Sequence, residues 1–150
     1  MSRLIGMAKA YLRQAESRLE DAEDAFDDRN YPYCLRLSQE CVELSLKASL
    51  RLVGIEYPKI HDVSEVLLSA KERFPEWFRE EVGEMAEASK ALASKRGIAL
   101  YGIEEERLTP DEIVGRDEAE SMVAKAKEIH RLCKRLLSLY ERRRGRSHDP

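Results

Sequence analysis

The chain has 150 residues, of which 37% are charged and 43% hydrophobic, and its formal net charge is −3. This length suits a single domain with a sizeable core. The composition excludes a membrane-spanning chain, because no apolar run reaches about 18 residues. The net charge excludes a protein that gathers nucleic acid by bulk attraction. The N-terminal MSRLIGMAKAYL leads into a patterned helix and shows no secretory h-region.

Leu4 to Arg29 carries an unbroken apolar stripe of Ala8, Leu12, Ala15, Leu19, Ala22 and Phe26. Steps that alternate four and three residues are the pattern of a helix in a bundle. Asn30 and Pro32 punctuate the chain, and a second long helix follows up to Gly54. It is apolar around more than half its circumference, as an element with neighbours on several sides would be. Cys34, Leu37, Cys41, Val42, Leu44, Ala48 and Leu52 share its broad face. Ser38, Ser45 and Ser49 fall in the middle of that face, where small side chains let another helix approach closely. Arg36, Glu40, Glu43, Lys47 and Arg51 fill the remaining strip. Glu43 and Lys47 stand four apart in the order that favours pairing.

Tyr57-Pro58 blocks further helix. Asp62 with Glu65 reads as a capping box that opens a short third helix to about Arg73. Pro75 sits in the first turn of a fourth helix. The stripe there is Phe78, Val82, Met85, Ser89, Leu92 and Arg96, with Gly97 and Gly102 bracketing its end. From Gly102 to Arg116 the chain reads as a polar loop with one helical turn, capped by Thr109 and Glu112. Asp117 and Glu120 open the last helix, whose stripe is Ala119, Met122, Ala126, Ile129, Cys133, Leu136 and Tyr140. No period-two run and no hairpin signal occur anywhere. The expected fold is therefore all-α: an antiparallel up-and-down bundle of four long helices plus a short one. Residues 1–141 form the domain, and 142–150 form a basic, disordered tail.

Arg96 is the residue that points to function. It stands on the apolar stripe where a leucine would be expected. A guanidinium cannot be buried there without a carboxylate, a water-filled cleft or a ligand phosphate. An ion pair, with Glu43 as the nearest candidate, competes with a phosphate-binding role. His61 precedes a helix cap and reads as a loop hydrogen bond. His130 falls on the apolar face of the last helix and reads as a core histidine. No His/Cys cluster has metal-ligand spacing, and no glycine-rich phosphate loop exists, so no metal or cofactor is expected. Cys34, Cys41 and Cys133 all lie on apolar faces, as thiols in a reducing cytoplasm do. Amides are limited to Gln14, Asn30 and Gln39. With many Glu, Arg and Lys, that composition points to a heat-adapted source. Charge is uneven: Glu20–Asp28 is acidic and Arg131–Arg146 basic, and the Arg142–Arg146 cluster could touch RNA or an acidic partner.

Gln39, Glu43 and Lys47, followed by His61-Asp62 and a Leu/Val run, resemble the HEPN family of helical domains over roughly residues 5 to 140. That resemblance implies a homodimer. It also implies a minimal nucleotidyltransferase as partner, in modules of toxin–antitoxin type, with RNA or a nucleotide as ligand. Arg96 and Tyr101 would line the dimer cleft, with Glu43 and Lys47 as polar neighbours. Ribonuclease members carry an arginine, four to six residues, then a histidine. Arg96 matches the arginine, but Tyr101, Gly102 and Ile103 occupy the three histidine positions. A histidine titrates near neutral pH and shuttles protons, whereas a phenol with a pKa of ~10 is a poor base. Three readings follow: a nucleotide- or RNA-associated accessory protein, a metal-independent endoribonuclease using Arg96 with Tyr101 or a displaced His130, and a plain interaction bundle.

Overall fold

A computed structural model describes residues 2–147. Among these the fold is all-α. Helix α1 spans Ser2–Asp27 and α2 spans Tyr31–Leu52. Three short helices, α3 at Ser64–Ser69, α4 at Glu76–Arg79 and α6 at Pro110–Ile113, join the long α5 at Val82–Tyr101 and α7 at Arg116–Ser147. No strand occurs among the described residues; Ile103 and Leu108 form one isolated bridge.

The expected stripes are the core. Ala8, Leu12, Ala15, Leu19 and Ala22 of α1 are buried, as are Phe78, Val82, Met85, Ser89 and Leu92 and the whole predicted stripe of α7. Helix α2 packs on α1, α5 and α7 and is the hub of the bundle. Its wide apolar circumference is thus covered within one chain, which leaves no apolar surplus to demand a partner.

The α2–α7 contact is close enough for two thiols of α2 to reach the backbone of α7. Cys34 Sγ lies 4.0 Å from the Ala119 carbonyl, and Cys41 Sγ lies 3.9 Å from that of Ala126. Both pairs are 85 residues apart, so the two helices run parallel and in step. Side chains no larger than Cys, Ser and Ala at Cys34, Ser38, Cys41, Ser45, Ala119 and Ala126 permit this approach, and all six are buried. Burial pushes the Cys34 thiol up to about 11 and the Cys41 thiol up to about 12, with Ser38 and Ser45 opposing weakly. Cys133 is raised as well, first by burial and then by Cys41. All three cysteines are unpaired, inert thiols.

The long helices end by local chemistry. Gly54 at φ +75° closes α2, where the Ile55 amide donates to Leu50 (2.9 Å) and the Gly54 amide to Arg51 (3.0 Å), a Schellman motif. Helix α1 ends the same way, with Asn30 donating to Ala25 (2.8 Å) and Arg29 to Phe26 (3.0 Å), but there the left-handed position is Arg29 at φ 61°. Gly102 is obligatory, since a Cβ there would collide with the Leu108 carbonyl oxygen. The predicted capping box at Thr109 and Glu112 is formed.

Four details differ from the sequence reading. Asp62 does not make a capping box with Glu65: its Oδ1 accepts from the Ser64 amide (2.9 Å) and the Ser89 hydroxyl (3.0 Å), tying the loop to α5. The fourth helix is two pieces, because Glu81 donates to Phe78 rather than to the residue four back (3.0 Å), which slips the ladder by one residue between α4 and α5. The short third helix ends at Ser69 rather than near Arg73, and a separate 3-10 turn, Lys71–Arg73, follows it. Finally, α7 continues to Ser147, so residues 142–147 are helical rather than a separate tail. Arginines are good helix formers, and one glycine at Gly145 costs only about 1 kcal/mol. His148 and the rest of the expected tail lie outside the described residues.

Candidate functional site

A continuous polar ladder runs along the strip of α2 that the core does not use. Arg96 reaches it from α5, where its Nη1 donates to Gln39 Oε1 (2.8 Å) and Glu40 Oε2 (3.2 Å). The carboxylate partner is therefore Glu40, not the expected Glu43. Glu40 also accepts from Arg18 Nε of α1 (2.9 Å) and from Arg36 Nε one turn earlier on α2 (3.2 Å). Three guanidinium groups from three helices thus meet one carboxylate. The Glu40 side chain is only 19% exposed. Burial works to raise its pKa, but hydrogen bonds from Arg18 and Arg96 and the charges of Arg96 and Arg36 outweigh it and hold the carboxyl below its ordinary value. The cluster carries three positive charges against one negative.

Gln39 extends the ladder. Its amide donates through Nε2 to Glu43 Oε1 (2.8 Å) while its carbonyl accepts from Arg96. Glu43 binds Lys47 Nζ (2.8 Å) and His61 Nδ1 (2.7 Å), which brings the α2–α3 loop onto the strip. Its pKa is also lowered: burial opposes, but Lys47, Gln39 and His61 all favour the charged form. Lys47 is nearly covered and lies 5.4 Å from the Tyr57 ring centre, so it is a satisfied internal cation rather than a free one.

Among the sequence candidates, then, Arg96, Glu43 and Lys47 belong to one network. Tyr101 stands apart as the last residue of α5, with 66% of its surface exposed. His130 is buried, and its Nε2 lies 3.2 Å from the Leu12 carbonyl, to which it donates. Burial lowers its pKa, partly offset by that carbonyl, and the ring is a neutral core group. Arg18, Arg36, Glu40 and Gln39 were not singled out as ligands for Arg96. Arg18 lies 22 residues from Glu40, and Arg96 lies 57 from Gln39; only the packing of three helices brings them together. The one local signal was the i, i+4 spacing of Arg36 and Glu40. Among the described residues, no group of three or more His, Cys, Asp or Glu side chains is placed to hold a metal.

This bundle is that of a HEPN domain. The HEPN domain model matches residues 8–136, and the chain belongs to the HEPN domain family. Its fold is similar to the crystal structure of an archaeal HEPN homologue, with a TM-score of 0.66 at 23% identity over 87% of this chain and 98% of that one. None of the curated proteins matches the chain. No described helix is long and apolar enough to cross a membrane.

Proposed function

We propose that the chain is a homodimeric, nucleotide- or RNA-associated accessory protein of the HEPN type. Its partner on this reading is a minimal nucleotidyltransferase, in a module of toxin–antitoxin type in the cytoplasm of a heat-adapted organism. One observation carries the reading. Arg96 stands with Arg18 and Arg36 around the single carboxylate of Glu40, an excess of positive charge that supports phosphate binding, while the position that would supply a proton acceptor holds an exposed tyrosine. Phosphate binding survives that replacement; general base catalysis at neutral pH does not. Dimerisation rests on family membership alone.

The endoribonuclease alternative needs Tyr101 or His130 as base. Engagement of His130 with Leu12 in the core speaks against the second. The interaction-bundle alternative draws support from the hydrogen bonds that Arg96 makes to Gln39 and Glu40. Incubation of the purified protein with single-stranded RNA in EDTA separates these readings. Retention of intact RNA is the expected result, and Tyr101→His should, if anything, create cleavage. Robust wild-type cleavage in EDTA that Arg96→Ala abolishes would promote the enzyme. Sedimentation equilibrium should give twice the chain mass of 17.3 kDa; a monomer at micromolar concentration would remove the dimer.

A further inference from the structure

The Glu40 cluster opens onto a depression that has no role in the ladder itself. The depression measures about 260 Å³ and lies where the start of α2, the end of α5 and α6 meet. Tyr33, Arg36, Leu100 and Pro110 line it, with Asn30 and Asp111 as polar members. Arg36 belongs to both places. Its Nε donates to Glu40, and its guanidinium carbon sits 6.0 Å from the centre of the Tyr33 ring. Arg96 lies one helical turn before Ala99 and Leu100, which form the α5 wall. Arginine and an exposed aromatic therefore share one small, open hollow.

Two features suit this hollow to a nucleotide. The first is spare donor capacity: the described hydrogen bonds use only Nε of Arg36 and only Nη1 of Arg96. The remaining N–H groups of these cations can serve an incoming phosphate. Glu40 fixes the three guanidinium groups in place, so binding an anion orders little new and relieves repulsion among three like charges. The second is Tyr33, which is 43% exposed although tyrosine carries a large apolar ring. A base stacked on such a ring gains affinity regardless of its identity, which is how single strands are held. A hollow on the scale of one nucleoside admits an unpaired nucleotide and not the end of a duplex. Asp111 is an acceptor without a positive partner among the described ion pairs, suited to a sugar hydroxyl and unsuited to a second phosphate.

We propose that Arg36, Arg96 and Arg18 bind a backbone phosphate of single-stranded RNA while Tyr33 stacks the adjoining base in this hollow, with Asp111 accepting from the 2′-hydroxyl. This rests on the nucleotide- or RNA-associated reading above and names the ligand and the residues that read it. The Glu40 ladder is the anchor, and the α2–α5–α6 hollow is the base pocket.

The test uses the full-length protein and a fluorescein-labelled oligouridine, read by anisotropy. Arg36→Gln should weaken binding about 10-fold at low salt and flatten the plot of log affinity against log salt by about 0.7. Tyr33→Leu should weaken binding about 5- to 100-fold, while Tyr33→Phe, which keeps the ring, should stay within about twofold. Arg131→Gln, which removes an exposed cation paired with Glu128 on α7, serves as the charge control and should change little. Deoxyoligouridine should bind more weakly than its RNA counterpart, and UMP, which carries the phosphate, base and 2′-hydroxyl that the hollow reads, should compete with the oligomer. Circular dichroism verifies that each variant is folded. If Arg96→Met abolishes binding while Arg36→Gln and Tyr33→Leu leave it intact, the hollow is not the base pocket and the inference fails, though the functional reading stands. Equal affinity for DNA, or failure of UMP to compete at all, would overturn the assignment of these residues to one nucleotide of RNA. A wild-type protein that binds neither RNA nor nucleotide removes the functional reading itself, and the inference with it.

Discussion

Helix α2 faces α7 on one side and α5 on the other, and the two contacts are built from opposite materials. Towards α7 it offers Cys34, Ser38, Cys41 and Ser45, all buried, and approaches Ala119 and Ala126 closely enough for thiols to reach backbone carbonyls. Towards α5 it offers Gln39 and Glu40, which meet Arg96 through charge-assisted hydrogen bonds. The first contact is tight because nothing large intervenes; its strength is dispersion and buried apolar area. The second is held by groups that water and ligands can also satisfy. On the proposed function, one helix separates stability from recognition by which strip it turns to which neighbour.

The largest effect should come from breaking the tight side. Ala126→Leu inserts three carbon atoms where Cys41 already touches the backbone. It should destabilise by about 3 kcal/mol, measured by urea unfolding, while the folded fraction binds RNA normally. Overpacking that abolished binding in folded protein would show that the two sides are not separate.

Glu40→Gln should move stability and affinity in opposite directions. Loss of the shared carboxylate leaves Arg18, Arg36 and Arg96 without their anion, at a cost of about 1–2 kcal/mol for a partly exposed group. RNA affinity at low salt should rise, because the negative charge that leaves the site outweighs the positioning that Glu40 gave its three arginines. The pH dependence follows from the same carboxyl. Its pKa lies below the ordinary 4.5 in the folded chain, so its contribution is complete above that value and is lost as pH falls through the lowered pKa. Urea midpoints measured downward from pH 6 should therefore fall in the wild type and fall less in Glu40→Gln. A parallel decline in both would assign the acid sensitivity elsewhere.

The smallest effect lies outside both contacts. Arg29 closes α1 in the left-handed region that glycine adopts without cost. Arg29→Gly should stabilise by about 0.5–1 kcal/mol and leave RNA binding unchanged, which calibrates how much stability alone affects the binding assay.

The tight side was legible in the sequence and the polar side was not. Heptad stripes in α1, α5 and α7 depend on residues within one helix, and burial followed them except at Phe26 and Arg96, which are half-buried. Serines in the middle of the apolar face of α2 correctly announced a close neighbour. The capping box at Thr109 was likewise local. Arg96 was visible as a charge where leucine belonged, but its partner was not. Glu40 and Glu43 lie on the same strip of α2, and which one Arg96 meets depends on how α5 is displaced along α2. That displacement is a tertiary property, with the loop tied to α5 only through contacts such as Ser89 to Asp62, and one helix wheel does not contain it. Arg18 comes from a third helix and carried no signal in its own neighbourhood. Tyr33 looked like one more residue of the α2 start; only the placement of α6 and the end of α5 turns it into the wall of a hollow.

Arg96→Met tests the division between the two sides most directly, since it keeps a long apolar stem and removes the charge alone. Thermal melting and RNA anisotropy should be measured on the same preparation. A melting temperature that holds or rises, together with loss of RNA binding, is the predicted result. A variant that unfolds because Gln39 and Glu40 lose their partner, or one that stays folded and binds RNA as the wild type does, would contradict it.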